Sequence, residues 1–153
     1  RSTTCSSGTF NWVPGNPCEL CEVGQFRTSA MNATICAACL PGFAQQKSGQ
    51  VGCAECSPGK FQEDSGSASC KDCMTGQYSG TEKATKCTKC ETGRGTIGGS
   101  LTGNTFCSPC AKGKRSVAGG TCEECKVDTF QDKEGMSNCI ECDDGKSTEG
   151  KSG

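Results

Sequence analysis

The sequence contains no histidine and few large apolar side chains. Its 153 residues include one tryptophan, one tyrosine and six phenylalanines, and apolar residues make up 32% even with cysteine counted. Without histidine, general acid–base chemistry would fall to Asp or Glu. The acidic pairs Glu123-Glu124 and Asp143-Asp144 lie in polar surroundings, which is typical of solvated surface charge. We therefore expect neither enzymatic activity nor a cofactor.

Long apolar runs and an excess of one charge are also missing. No stretch approaches the roughly 20 consecutive apolar residues of a membrane-spanning helix. The formal net charge is −1, with both signs scattered along the chain. Nucleic acid and an anionic membrane are therefore not expected as partners of this segment. So few apolar residues also fall short of a conventional hydrophobic core, and another interaction must hold the fold.

Cysteine is the residue that the sequence has in excess. Seventeen cysteines place the chain among disulfide-stabilised extracellular proteins. Between Cys39 and Lys89 lie three 17-residue segments, each with an opening cysteine, a glycine three residues later, an aromatic (Phe43, Phe61 or Tyr78) and a closing cysteine. Similarity at a fixed short period indicates tandem repeats.

The same register extends over nearly the whole chain. A polar lead (1–4) precedes eight repeats and the beginning of a ninth. Repeat 6 is long and rich in glycine, and repeat 7 is short. Because repeat 9 has only begun where the sequence stops, we expect the chain to be a piece of a longer protein. The repeats span 5–20, 21–38, 39–55, 56–72, 73–89, 90–109, 110–124, 125–141 and 142–153.

The repeats lack the patterns of long regular elements. No window has the apolar period of a helix, and none alternates long enough for a full strand. The sequence therefore predicts a small disulfide-rich fold, an elongated, solenoid-like rod of tandem repeats with short β-strands and loops and little or no helix. The glycine three residues after each opening cysteine, replaced only by Asp128 in repeat 8, is expected in a turn with positive φ or against a neighbouring backbone. The aromatic is expected to be the main apolar body of each repeat.

Three kinds of chemistry use Cys-x-x-Cys pairs, of which the chain has eight. Zinc ribbons separate such pairs by roughly 15 to 20 residues, whereas here the separations are 11 to 16 residues and mostly 13. A thioredoxin-type redox site needs a βαβ context, which the sequence lacks. Structural disulfides are therefore favoured.

Two disulfide connectivities respect the repeat. An interlocked scheme joins successive Cys-x-x-Cys pairs, for example Cys18 with Cys36 and Cys21 with Cys39, and leaves Cys5 over. A sequential scheme joins each opening cysteine to the closing cysteine of its own repeat, and we favour it because one rule then covers every repeat. Cys142 would find its partner beyond the chain end. The sequential pairs are Cys5–Cys18, Cys21–Cys36, Cys39–Cys53, Cys56–Cys70, Cys73–Cys87, Cys90–Cys107, Cys110–Cys122 and Cys125–Cys139.

The pattern Cys-x-x-Gly-x-[Phe/Tyr]…Gly-x-x-x-Cys-x-x-Cys, found from Cys5 to Gly145, resembles the ephrin-receptor-like cysteine-rich repeat. It is also similar to the single-disulfide module that opens the cysteine-rich domains of tumour necrosis factor receptors. The resemblance implies an elongated extracellular rod with sequential disulfides, as in receptor ectodomains and in surface and filament proteins of single-celled eukaryotes. Repeats 6, 7 and 9 depart from it, with Gly95, Arg115 and Ser147 in place of the aromatic.

Uniform polar repeats without clustered apolar anchors favour a structural role over recognition. We expect an extracellular, disulfide-stapled rod that forms part of a filament, coat or cell-surface appendage, with other copies of itself or further repeats of the same protein as partners. The alternative is a ligand-binding or adhesive receptor ectodomain. A contact loop is predicted in repeat 6, with apolar residues Ile97, Leu101 and Phe106. An N-glycan is expected at Asn32, which heads the only Asn-x-Ser/Thr sequon.

Overall fold

The computed structural model describes residues 4–96, 102–117, 119–144 and 146, and these residues form two-residue β-strands and no helix. The prediction of a small disulfide-rich fold made of short strands and loops is thus confirmed. The strands are β1 (Thr9–Phe10), β2 (Glu19–Leu20), β3 (Gln25–Phe26), β4 (Ala37–Ala38), β5 (Phe43–Ala44), β6 (Ala54–Glu55), β7 (Lys60–Phe61), β8 (Lys71–Asp72), β9 (Gln77–Tyr78), β10 (Thr88–Lys89), β11 (Arg94–Gly95), β12 (Ser108–Pro109), β13 (Lys114–Arg115), β14 (Glu123–Glu124), β15 (Thr129–Phe130) and β16 (Ile140–Glu141).

Each of repeats 1 to 8 folds into one small hairpin. Every sheet has two strands that are neighbours in sequence, and in β3 and β4 the antiparallel register places Phe26 opposite Ala37. The second strand of each hairpin consists of the two residues inside a Cys-x-x-Cys pair. Because side chains alternate along a strand, residues three apart point to opposite faces. The two cysteines of such a pair therefore bond to different loops.

Eight disulfides close the repeats. In the structure each opening cysteine from Cys5 to Cys125 is bonded to the closing cysteine of its own repeat, with Cα atoms 5.4–5.8 Å apart. Among the described residues Cys142 is the one free cysteine. From Cys21 onward the bonded opening cysteines are buried, whereas the closing cysteines of repeats 2 to 8 are only half-buried.

The interior of a repeat is built from every third residue. The opening cysteine, the glycine three residues later and a polar residue three further on are buried in most repeats. The aromatics, expected to be the main apolar body of each repeat, lie at its edge: Phe26, Phe61 and Tyr78 are half-buried and Phe130 is exposed. The buried polar residues at this third position are Asn11, Arg27, Gln62, Ser79, Ser116 and Gln131.

Successive repeats are joined by a recurring set of backbone hydrogen bonds. Between repeats 2 and 3, the Gly24 amide donates to Gln45 O (2.7 Å), Arg27 N donates to Gln50 O (3.2 Å) and Gly49 N donates to Cys21 O (2.7 Å). The same three bonds recur between repeats 3 and 4, where Gly42, Gln45 and Gly66 are the donors. Stacking thus depends on backbone groups.

The turn positions require glycine for two reasons: their φ is positive, and another segment of backbone lies too close to leave room for a Cβ. Gly24 has φ +76°, and a Cβ at this position would lie 2.0 Å from the carbonyl oxygen of Gly66, two repeats further on. Both features that the sequence predicts for this glycine are present. Asp128 replaces the turn glycine in repeat 8, and its φ is 65°. Lys83 stands four residues before the closing cysteine of repeat 5, where repeats 3 and 4 have Gly49 and Gly66, and its φ is 59°.

The chain folds into two compact regions. The first comprises Arg1–Lys71 with Thr81–Lys86, and the second comprises Asp72–Gly80 with Cys87–Gly153. Each region contains stacked hairpins with the interior just described. In the second region Gly95 occupies the aromatic position of repeat 6, and a Cβ there would lie 2.9 Å from Cys122 Sγ. Close approach to the next disulfide therefore explains the missing aromatic.

Candidate functional site

A small notch recurs between neighbouring repeats. Its lining includes the same four positions each time. One is the fifth residue after the opening cysteine of a repeat; the others, in the next repeat, are the first and fourth residues after the opening cysteine and the closing cysteine. Such notches lie between repeats 2 and 3, 3 and 4, 5 and 6, and 7 and 8. Their lining side chains differ, so each notch has its own chemistry.

The notch between repeats 2 and 3 is apolar. Phe26, Leu40, Phe43 and the sulfur-bearing Cys53 line a volume of about 160 Å³. Leu40 is 67% exposed, so the notch opens to solvent beside a large aliphatic side chain. This volume and lining would accept one apolar side chain of a partner.

Two further notches are polar. Between repeats 3 and 4, Ala44, Ser57 and Lys60 contribute to a cleft of about 500 Å³. Between repeats 7 and 8, the smaller notch of about 330 Å³ includes Arg115 and Lys126. Positions that are apolar in the notch between repeats 2 and 3 carry charged groups in these two notches. The two notches would therefore favour polar or acidic groups of a partner.

Phe106 of the predicted contact loop lies in the notch between repeats 5 and 6. It lines a volume of about 190 Å³ with Tyr78, Glu91 and Arg94 and is 56% exposed. The Arg94 guanidinium is fixed by donation from Nη1 to the Cys107 carbonyl at 3.2 Å. The other two predicted residues of this loop, Ile97 and Leu101, lie outside the described residues.

Lysines cover two of the half-buried aromatic rings in the first region. Lys71 Nζ lies 5.9 Å from the centroid of Phe61, and Lys83 Nζ lies 5.7 Å from that of Phe43. Hydrogen bonds to Glu63 and then Asp64 raise the pKa of Lys71, and a hydrogen bond to Glu55 raises the pKa of Lys83. Both ammonium groups are therefore charged at neutral pH, as cation–π contact requires.

The closing cysteines Cys53, Cys70, Cys107 and Cys139 line the notches, whereas Asn32 and Cys142 do not. Asn32 is exposed in the loop of repeat 2. Cys142 is half-buried, and its amide donates to Asp128 O at 2.9 Å, as the Cys21 and Cys39 amides donate to the carbonyls of the turn glycines in the preceding repeats. It thus has the backbone position of an opening cysteine. In the described parts of the chain, no cluster of three or more His, Cys, Asp or Glu side chains has a metal-binding arrangement.

The buried polar residue found in most repeats was not predicted from the sequence. Arg27 is the most unusual of these, since its side chain is 1% exposed and donates to five backbone carbonyls. The pattern Cys-x-x-Gly-x-x-polar was the available signal, but polar residues are abundant in this chain and did not stand out. The five carbonyls belong to Cys5, Ser6, Thr9, Thr28 and Met31.

Comparison with known proteins agrees with the cysteine pattern. Residues 113–152 match the family model described as tyrosine-protein kinase ephrin type A/B receptor-like. This stretch contains repeat 8 and parts of repeats 7 and 9, and the resemblance inferred from the sequence is confirmed there. No curated protein gives a significant match to the chain.

The matched stretch is similar to cysteine-rich modules of the extracellular, receptor type. Eight disulfides also indicate an oxidising, extracellular environment. The described residues include no helix of the length and apolarity that crossing a bilayer would require.

Proposed function

We propose that this segment is a structural extracellular protein, a disulfide-stapled series of repeats that forms part of a filament, coat or cell-surface appendage. The observation that carries the proposal is the recurring set of backbone hydrogen bonds between neighbouring repeats. These bonds use no particular side chain, so surface residues can vary while the stacking stays the same. Such independence of sequence suits a protein that provides length and cohesion.

The partners in this proposal are other copies of the chain or further repeats of the same protein. The notches supply contact points, and the apolar notch at Leu40 and the aromatic one at Phe106 are the strongest of them. Burying a large apolar side chain that is otherwise exposed contributes about 1.5–3 kcal/mol. Several weak contacts of this size, repeated along an assembly, give high total affinity.

Sedimentation velocity over a range of concentrations tests the proposal. The purified, oxidised chain should form larger species as its concentration rises, and Leu40→Asp and Phe106→Asp should weaken that association. Val51→Asp is the matched control, because Val51 is 56% exposed but does not line a notch. A chain that stays monomeric throughout, or three variants that behave alike, would contradict the proposal.

A second candidate function is an adhesive or ligand-binding ectodomain. The difference in lining among the four notches supports it, because recognition needs local variety. Saturable binding of labelled chain to intact source cells, competed by unlabelled chain and weakened by Leu40→Asp, would favour this function if self-association is absent.

A further inference from the structure

The loop that carries Asn32 is held firmly on both sides of this residue. Arg27 Nη1 donates to the Met31 carbonyl at 3.1 Å, and Asn11 N donates to the Ala33 carbonyl at 2.8 Å. Both donors belong to the buried polar layer. The carbonyls on either side of Asn32 are thus tied to the interior, while Asn32 itself and Thr34 remain exposed.

The Asn32 side chain has a definite local geometry. Its Oδ1 accepts hydrogen bonds from the Thr34 amide (3.0 Å) and from Thr34 Oγ1 (2.8 Å), which forms an Asx-turn. Among the described residues, Asn32 Nδ2 has no hydrogen-bond partner. By contrast, Nδ2 of the buried Asn11 donates to Asn16 O, and Nδ2 of the buried Asn104 donates to Met74 O.

We propose that Asn32 Nδ2 is the attachment point of an N-linked glycan. Its sequon provides the asparagine amide and the threonine hydroxyl that glycosylation requires, and the structure leaves the amide nitrogen accessible. The donor is an oligosaccharide linked to a lipid pyrophosphate, as found in a eukaryotic secretory pathway. A bond forms between Nδ2 and the anomeric carbon of the sugar, the bond from that carbon to the pyrophosphate oxygen breaks, and the proton lost from Nδ2 leaves with the lipid pyrophosphate.

The glycan is compatible with the folded repeat. Attachment uses Nδ2 alone, so the bonds to Met31 O, Ala33 O and Asn32 Oδ1 all remain. The modified and unmodified chains should therefore have the same stability in repeats 1 and 2. This inference depends on passage through a eukaryotic secretory pathway but not on a structural role for the chain.

Secretion of the full chain from eukaryotic cells tests the site. Peptide mass spectrometry, with enzymatic deglycosylation in ¹⁸O water, should show a glycan on Asn32 in the wild type and in Thr34→Ser, and none in Asn32→Gln or Thr34→Ala. Thr34→Ala keeps the asparagine and removes only the hydroxyl. It therefore separates sequon-directed transfer from other modifications of the loop.

A second sequon in the same chain shows whether the expressing cells attach N-glycans to this protein. Gln46→Asn creates a sequon with Lys47 and Ser48 in the exposed loop of repeat 3. The proposal is overturned if secreted protein carries a glycan at position 46 of this variant while Asn32 in the same molecule is unmodified. Occupancy at both positions supports it.

Discussion

Arg27 connects repeats 1 and 2 through its side chain, and replacing it tests how the repeats are joined. In repeats 2 to 7 the carbonyl of the opening cysteine accepts a hydrogen bond from a backbone amide of the next repeat, as Cys21 O does from Gly49 N. The carbonyl of Cys5 instead accepts from Arg27 Nη2, at 2.7 Å. The arginine side chain thus takes the place of one backbone bond of the recurring set.

The loss of stability expected for Arg27→Ala follows from the carbonyl groups that this substitution would leave unpaired. Ser6 O keeps the Thr9 amide as a donor at 3.1 Å, whereas in the described chain Cys5 O and Met31 O have no donor besides Arg27. A buried carbonyl without a partner costs about 1–3 kcal/mol, and the lost packing of the arginine stem adds to this. We expect Arg27→Ala to destabilise repeats 1 and 2 by about 3–5 kcal/mol.

Two conservative variants refine the test. Gln occupies the equivalent position as Gln62 and Gln131, whose amides bond within their own loops to Ser69 O and Asn138 O. Arg27→Gln should therefore recover the bonds to its own loop but not those to repeat 1. Arg27→Lys keeps the charge but lacks the planar fork that reaches several carbonyls at once. Both should fall between the wild type and Arg27→Ala.

Native-state hydrogen exchange by NMR provides a local assay. The Gly8 amide donates to Arg27 O at 2.7 Å, and the Gly113 amide donates to Gln131 O at 2.7 Å. Arg27→Ala should speed exchange at Gly8 by roughly 100-fold or more, given about 1.4 kcal/mol per tenfold, and leave Gly113 unchanged. Gln131→Ala should do the reverse. Unchanged exchange at Gly8 in Arg27→Ala would refute the bridging role.

Three other predictions concern the turn, the disulfides and the lysines. Gly24→Ala should lower the free energy of unfolding by about 2 kcal/mol or more, because a Cβ at φ +76° would lie 2.0 Å from Gly66 O. Gly52→Ala should leave it nearly unchanged, because a Cβ there has nothing within 4 Å. Denaturant unfolding measures both. Non-reducing digestion should yield peptides that link Cys39 to Cys53 and Cys56 to Cys70, and a peptide that links Cys39 to Cys56 would contradict this. The pKa of Lys71 in the folded chain is raised, first by Glu63 and then by Asp64. The small stabilisation of the fold by charged Lys71 should therefore be fully present below the unfolded pKa of about 10.4. It should be lost as the pH rises through the folded pKa. NMR titration of Lys71 Nζ should give a midpoint above that of the Glu63→Gln variant, and equal midpoints would be contrary to expectation.

The short strands and turns were predictable because their signals are local. Turn glycines mark positions where φ must be positive, and Cys-x-x-Cys leaves room for two residues between cysteines, which is the length of each second strand. The repeat period then places one hairpin in each of repeats 1 to 8. The exceptions at Lys83 and Asp128 keep the same positive φ, so the turn persists even where its usual residue is absent.

The candidate site could be predicted only in part. Asn32 and Phe106 stood out in the sequence, and the structure leaves both exposed. The notches were not foreseen, because each combines residues of two repeats whose relative position no local pattern specifies. The polar layer was missed for the same reason: whether Gln62 lies in solvent or is buried depends on the neighbouring hairpin that covers it.

The sequence by itself determined the period, the turns and the class of fold, since cysteine spacing and glycine conformation act within a few residues. Tertiary structure decided what fills the interior. Backbones of different repeats approach so closely at Gly24 and Gly95 that no Cβ fits, and the aromatics are half-buried or exposed. The interior then consists of small groups, disulfides and polar side chains such as Arg27, which satisfy the carbonyls that stacking removes from water.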